Sequence, residues 1–182
     1  RALPKTLKVF FKNLFNFPEL KELHLYFNSL KNMPDVSKNQ RLRTLDLSGN
    51  KIKVISNVSS LKKLQNLVLG NNRISKMENL DNLPALKKLY LGKNNITTIE
   101  NLEGVPSIEI LDLSDNHITK IEGISSLQNL HELYLDGNQV KNIQNLNNNS
   151  ELMFLSLEDN RIEEIKNLEH LNDLENIELR GN

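Results

Sequence analysis

A period of 22 residues constrains the fold of this chain more than any other feature of its sequence. The phrase L-x-x-L-x-L-x-x-N, with isoleucine in place of leucine twice, occurs eight times without a gap. Its first position falls on Leu20, Leu42, Leu64, Leu86, Ile108, Leu130, Leu152 and Leu174. Its asparagine falls on Asn28, Asn50, Asn72, Asn94, Asn116, Asn138, Asn160 and Asn182. One unit is too small to bury its own leucines, so the repeat predicts a solenoid of stacked units.

The two halves of each unit follow different periods. The x-L-x-L-x stretch alternates with a period of two, which is typical of a strand. The second half has apolar residues three apart, as in Ile96, Ile99, Leu102 and Val105, and this is the period of a 3₁₀ turn or a tight coil. The sequence therefore predicts an α/β solenoid of about eight units. Its parallel sheet would line the concave face, and 3₁₀ or extended segments would line the convex face.

Asparagine is over-used beside leucine, with 28 Asn and 34 Leu among 182 residues. An amide side chain has both donors and an acceptor, so the Asn column of the phrase can bridge one coil to the next. A second column reads Asp35, Asn57, Asn79, Asn101, Gly123, Asn145 and Asn167. These residue types favour helix N-caps and tolerate left-handed backbone. We interpret them as caps of short helical turns.

The repeats are predicted to occupy residues 20–182, with the last unit truncated and no C-terminal cap. Residues 1–19 do not follow the phrase and are predicted to form an N-terminal cap or a degenerate repeat, because the end of an apolar stack needs a cover. A hydrophobic helix that binds a partner is the alternative for this segment. Asn39 and Asn149 replace the Leu or Val of other repeats, and we expect them to loosen the packing of the convex side.

Phrases such as L-G-K-N-N-I-T at 91–97 and I-E-N-L at 99–102 are typical of one protein family. Over residues 20–182 the chain resembles the leucine-rich repeats, in particular the 22-residue class typified by the regulatory subunit of protein phosphatase 1. The resemblance implies a non-catalytic scaffold, and most concretely a phosphatase-regulator-like subunit. Bacterial internalins share the period, so an internalin-like surface or secreted adhesion module is the alternative. Axonemal relatives of the same class leave a cytoskeletal or axonemal adaptor open as well.

The outward columns of the predicted sheet are the place where such a scaffold would bind. Neighbouring strands lie about 4.8 Å apart, so each column forms a ladder. The outward columns contain nine acidic and three basic residues, interrupted by large apolar side chains. Aromatic anchors ringed by charge suit a protein interface, although solvated strands also contain such residues. The predicted partner-binding residues are Tyr90, Ile110, Asp112, Glu132, Tyr134, Asp136, Phe154 and Glu158.

Charge is distributed unevenly along the chain although it sums to zero. Residues 1–91 contain 17 basic and 6 acidic residues, a net of +11, and residues 92–182 contain 6 basic and 17 acidic residues, a net of −11. The acidic outward face predicts a protein partner with a basic surface. Basic residues near the strand starts could meet phosphate or an acidic partner, and the polarity also permits self-association. The opposing acidic half disfavours nucleic acid as the partner.

Catalysis finds little support in this sequence. There are no cysteines, and the four histidines fall in different slots of the repeat, so they cannot converge on one metal. No Gly-rich phosphate loop is present. We therefore predict no enzymatic activity, no metal, no cofactor and no small-molecule substrate. No apolar run approaches the roughly 18 residues of a membrane span, and the lack of disulfides favours an intracellular location, in the cytoplasm or nucleus, over secretion.

Overall fold

Eight short strands form one parallel sheet in which strand order follows chain order. The structure is a computed structural model, and it describes residues 10, 11 and 13–182. Each residue of a strand pairs with the residue 22 positions later, without a register slip. The predicted leucine-rich-repeat solenoid is thereby confirmed. The strands are β1 (Glu22–His24), β2 (Thr44–Asp46), β3 (Asn66–Val68), β4 (Lys88–Tyr90), β5 (Ile110–Asp112), β6 (Glu132–Tyr134), β7 (Phe154–Ser156) and β8 (Asn176–Glu178).

The apolar columns of the repeat fill one continuous core. In the unit that contains β5, the side chains without exposed surface are Ile108, Leu111, Leu113, Ile118, Ile121, Ile124 and Leu127. The return half consists of successive tight turns: the Leu127 amide donates to the Ile124 carbonyl (3.0 Å), and the Leu130 amide donates to the Leu127 carbonyl (3.3 Å). Because each bond spans three residues, every third side chain points inward. This explains the apolar spacing of the second half.

The asparagine of the phrase joins each coil to the one before it. The Asn116 Nδ2 lies 3.0 Å from the Leu113 carbonyl and 3.1 Å from the Leu91 carbonyl of the preceding unit. Its Oδ1 accepts a hydrogen bond of 2.9 Å from the Ile96 amide. The side chain is 3% exposed, so it satisfies turn groups that water cannot reach. The predicted bridging role is confirmed in the structure.

The second polar column does not cap helices from Asn57 onward, and for these residues that interpretation is wrong. Asp35 does cap a turn, because its Oδ1 accepts a hydrogen bond of 3.0 Å from the Ser37 amide. The described helical residues, Phe10, Phe11 and the 3₁₀ helix Leu14–Asn16, all precede β1. The residues of this column from Asn57 onward instead have left-handed backbone, with φ between 58° and 68°. The asparagine side chains of this column also bridge coils, as in Asn101, whose Nδ2 donates to the Met77 carbonyl at 2.7 Å. Asn and Gly are used because they adopt positive φ at low cost.

The two asparagines on the convex side do not loosen it as expected. Asn39 and Asn149 have no exposed surface. The Asn149 Nδ2 donates to the carbonyls of Ile124 (3.1 Å) and Leu127 (2.7 Å) in the preceding unit. Their Oδ1 atoms are buried and have no partner among the described residues. These side chains therefore add hydrogen bonds between coils, at the cost of one unsatisfied acceptor each.

The N-terminal segment is only partly described. Residues 1–9 and 12 of the predicted 1–19 cap lie outside the described residues. Within the remainder, Leu14 is completely buried, and the carbonyls of Leu14 and Phe17 accept hydrogen bonds from Asn39. The segment is thus joined to the first repeat, while its role as a cap stays a prediction.

Replacing one bridging asparagine should weaken the whole stack. We expect Asn116→Ala to lower the free energy of unfolding by about 3 kcal/mol, because buried carbonyl and amide groups of two coils lose their partner. Urea denaturation followed by circular dichroism measures this. The matched control is Asn95→Ala, at an exposed position, where we expect a change below about 0.5 kcal/mol. Equal effects of the two substitutions would contradict the bridging role.

Candidate functional site

The predicted partner-binding residues lie on neighbouring strands of the sheet. Six of them belong to β4–β7, and the register places Tyr90 beside Asp112 and Asp112 beside Tyr134. In the adjacent column Ile110 lies beside Glu132, and Glu132 lies beside Phe154. All six are half-buried, whereas the leucine between them in each strand is buried. The strand alternation therefore presents these side chains together on the outward face.

Tyr134 and Phe154 form the centre of this face. Their ring centroids are 5.0 Å apart, with an angle of 37° between the ring planes. The Tyr134 hydroxyl donates a hydrogen bond of 2.7 Å to the Glu132 carboxylate. The Tyr134 ring is thereby held by Glu132 and Phe154, and the Phe154 ring is held by Tyr134. The pair forms a pre-ordered apolar surface that loses little side-chain entropy when a partner covers it.

The Tyr90 and Tyr134 phenols remain neutral hydrogen-bonding groups. Burial raises the pKa of Tyr90, and the carboxylates of Glu132 and Asp112 raise it further. Burial is also the main cause that raises the pKa of Tyr134, followed by its hydrogen bond to Glu132. Negative charge nearby disfavours a phenolate. The face thus combines two neutral phenols with carboxylates around them.

The carboxylates of this face are held in different ways. The Asp112 Oδ1 accepts hydrogen bonds from the Ser114 amide (2.9 Å) and the Ser114 hydroxyl (2.6 Å). Asp136 accepts a bond of 3.0 Å from the Glu158 amide. Glu158 in turn receives a hydrogen bond of 3.2 Å from the Arg180 guanidinium. Since Arg180 offsets the charge of Glu158, the free negative charge is concentrated at Asp112, Glu132 and Asp136.

Two residues of the site were missed by the sequence analysis. Ser156 is buried and its hydroxyl contacts the Asp136 carboxylate and lies 3.0 Å from the Glu178 carboxylate. Met153 is 39% exposed beside Phe154. It helps to line a shallow depression of about 260 Å³ with Tyr134, Phe154 and Glu132. An apolar residue in a column of otherwise polar ones was the signal that could have identified Met153.

Other kinds of site find no support in the described part of the chain. No group of three His, Asp or Glu side chains there could hold a metal ion. No helix within residues 10, 11 and 13–182 has the length and apolar character that crossing a membrane requires. The arrangement is suited to contact with another macromolecule.

Family comparisons agree with this architecture. A family described as Leucine rich repeat matches residues 62–118. A second, described as Leucine Rich repeats (2 copies), matches residues 40–82 and 106–148. Together they cover residues 40–148, which is more than half of the chain. A comparison with curated proteins gives no match.

Several solved structures are similar over most of this chain. The internalin C2 (inlC2) of Listeria monocytogenes is 27% identical with a TM-score of 0.85, over 91% of this chain and 74% of that one. The internalin inlF of the same species is 26% identical with a TM-score of 0.82, over 90% and 49%. TLR13, in a complex with ssRNA13, is 30% identical with a TM-score of 0.78, over 89% and 25%. The chain thus spans about half of inlF and a quarter of TLR13. Given this family match and eight units in one register, the chain is a leucine-rich-repeat protein.

Proposed function

We propose that the chain is a non-catalytic scaffold that binds a protein partner across the outward face of β4–β7. The observation behind this proposal is the half-exposed Tyr134–Phe154 pair, with ring centroids 5.0 Å apart, surrounded by carboxylates. Leucine-rich repeats are interaction modules, and the fold alone leaves open which surface is used. The site residues Tyr90, Ile110 and Asp112 extend the proposed surface across neighbouring strands.

The apolar and the acidic side chains of this face would have different roles in binding. The rings of Tyr134 and Phe154 supply apolar area, and buried aromatic anchors dominate the binding energy of many interfaces. Ile110 adds aliphatic area beside Glu132. Asp112, Glu132 and Asp136 would select a basic partner surface and accelerate encounter, while adding less to affinity. The preferred partner is therefore a protein with a basic patch around one apolar group.

Nucleic acid fits this face poorly. A single strand needs cations along its phosphates in addition to aromatic platforms for its bases. Here the aromatic pair is surrounded by Asp112, Glu132 and Asp136, and the nearby Arg180 is engaged by Glu158. The RNA in the TLR13 complex therefore supports no matching role for this surface.

The finer role could follow either of two resemblances. The repeat phrases resemble the phosphatase-regulator class, and on that basis we propose a phosphatase-regulator-like subunit. The likeness to two internalins, at 26% and 27% identity, favours an internalin-like surface or secreted adhesion module as the second candidate. Both roles use the same face. Fractionation of the source cells separates them, because only the second requires export.

Removal of the two aromatic anchors should abolish partner binding. We expect Tyr134→Ala combined with Phe154→Ala to lower capture of the partner at least about 100-fold, because each anchor in such an interface contributes on the order of 2 kcal/mol. Quantitative mass spectrometry of proteins captured by the immobilised chain measures this loss. Unchanged capture would refute the proposed face.

The matched control is a second Tyr–Phe pair in the first repeat. Tyr26 and Phe27 are exposed, and their ring centroids are 5.9 Å apart, but they lie at the opposite end of the sheet. We expect Tyr26→Ala combined with Phe27→Ala to leave capture unchanged. An equal loss of partner capture in both double variants would indicate non-specific binding to exposed aromatic side chains and would contradict a specific site.

The phosphatase-regulator role makes a direct binding prediction. We expect the immobilised chain to retain the purified catalytic subunit of protein phosphatase 1, and the Tyr134→Ala, Phe154→Ala variant to lose it. Surface plasmon resonance at increasing salt provides the measurement, and association should slow as salt screens the carboxylates. No binding by the intact chain would exclude this role and would leave the general scaffold proposal to the capture experiment.

A further inference from the structure

One edge of the sheet has a charge pattern that the proposed function does not use. We define the strand-start edge as the residues one and three positions before each strand. Beside β1–β4 these residues are Glu19, Lys21, Arg41, Arg43, Lys63, Gln65, Ala85 and Lys87. Beside β5–β8 they are Ser107, Glu109, Asn129, His131, Glu151, Met153, Asp173 and Glu175. The half of the edge beside β1–β4 thus contains five bases and one acid. The half beside β5–β8 contains four acids and neither Lys nor Arg.

The summed charge changes sign at the midpoint of the edge, the boundary between β4 and β5, from +4 beside β1–β4 to −4 beside β5–β8. Lys87 and Glu109 flank this midpoint, and they form an ion pair of 2.6 Å. Equally distant from the midpoint, Lys21 beside β1 corresponds to Glu175 beside β8. Arg41 and Arg43 beside β2 correspond to Glu151 and Met153 beside β7. Rotation of the edge by half a turn therefore places three of the five bases, Lys21, Arg41 and Lys87, against acids. Arg43 comes to lie over Met153, beside Glu151, while Lys63 faces Asn129 and Glu19 faces Asp173.

Some charges of this edge are engaged within the chain, since Arg41 pairs with Glu19, Lys87 pairs with Glu109, and Glu151 lies 3.4 Å from His131. Four others are available to a partner. Lys21, Arg43, Asp173 and Glu175 are exposed and form no ion pair among residues 10, 11 and 13–182. The ladder is also evenly spaced, because amides just before the strands bond to carbonyls of the preceding unit, as in Arg43 to Lys21 at 2.7 Å. At about 4.8 Å per strand the edge extends for about 34 Å.

The acidic half contains a recess that fits an arginine side chain. An open depression of about 650 Å³ is lined by His131, Glu151, Met153, Asn172, Asp173, Leu174 and Glu175. Met153 supplies an apolar floor for the methylene stem of a long side chain. The surrounding carboxylates suit a guanidinium, which binds them with fixed fork geometry. The position that half a turn brings over Met153 is occupied by Arg43.

We propose that the strand-start edge binds a second copy of this chain as a twofold-symmetric dimer, with β1 of one copy opposite β8 of the other. Two antiparallel copies of one edge have the same spacing between strands. Each strand start of β1–β8 therefore lies opposite a strand start of the other copy. A twofold axis repeats each contact, so two contacts each occur twice: Lys21 to Glu175, and Arg43 over Met153 to the Glu151 carboxylate that lines the same recess. Such an interface is closed and cannot grow into a fibre.

The dimer should be weak and sensitive to salt. Its contacts are exposed ion pairs, which contribute little each and are screened at high ionic strength. We expect dimers at about 0.05 M salt and monomers at about 0.5 M salt, where screening extends over only a few ångströms. Sedimentation equilibrium over a range of protein concentrations measures both states. A monomer at every concentration in low salt would overturn the proposal, and so would open-ended growth beyond the dimer.

Charge reversal tests which side chains meet. The basic-side variant is Lys21→Glu with Arg43→Glu, and the acidic-side variant is Glu151→Lys with Glu175→Lys. Each alone places like charges opposite each other, so we expect the dimer dissociation constant to rise at least about tenfold. An equal mixture of the two variants restores all four attractive pairs and should dimerise as well as the intact chain. Failure of the mixture to associate, or undisturbed dimers of either variant alone, would overturn the proposal.

The control reproduces the net charges on another surface. Lys53→Glu with Lys76→Glu, and Glu103→Lys with Glu169→Lys, change exposed residues on the return half of the repeat. We expect each to dimerise as the intact chain does, and their mixture to gain nothing. Loss of dimers in these controls would show that net charge governs association and would contradict the edge pairing. Recovery in the first mixture also demonstrates that the edge variants are folded.

Discussion

The fold depends on the hydrogen bonds that buried asparagine amides make between successive coils. A chain that reverses direction within a dehydrated stack leaves turn carbonyls and amides without water, and each unpaired group costs free energy. The amide of Asn116 satisfies both kinds of group at once, in its own coil and in the preceding one. An apolar side chain in this slot would leave both coils unsatisfied. The period of 22 residues is therefore maintained by hydrogen bonding in addition to the burial of the leucines.

A strict period turns sequence columns into ladders on the surface. Tyr134 can contact Phe154 because the strand register places the two columns side by side. The same register aligns Lys21 with Arg41 and Arg43, which precede β2, at one end of an edge and collects acids at the other end. The properties of such a surface are therefore set by all residues at one position of the repeat, and less by any single residue. Among the described residues, the excess of bases before residue 92 and of acids after it therefore becomes a spatial gradient of charge along the solenoid.

The sequence predicted the strands and the core because both follow the period directly. It also predicted which side chains share the outward face, since alternation within a strand decides this. It did not predict the backbone of the Asn101 column, because Asn and Gly favour both caps and left-handed turns. Nor did it predict the hydrogen bonds of Asn149, which depend on carbonyl positions in the preceding coil. Contacts such as Tyr134 with Glu132 depend on side-chain rotamers, which the period leaves undetermined.

The two proposed surfaces adjoin each other at β6–β8. His131, Met153 and Glu175 line both the recess of the strand-start edge and the depression beside Tyr134 and Phe154. A side chain that occupies the recess therefore contacts residues that also border the partner face. If both surfaces are used, binding at one changes the free energy of binding at the other, and this coupling is necessarily reciprocal. Met153 is the residue through which steric coupling would act, because it is exposed between the two sites and its flexible thioether adapts to either neighbour.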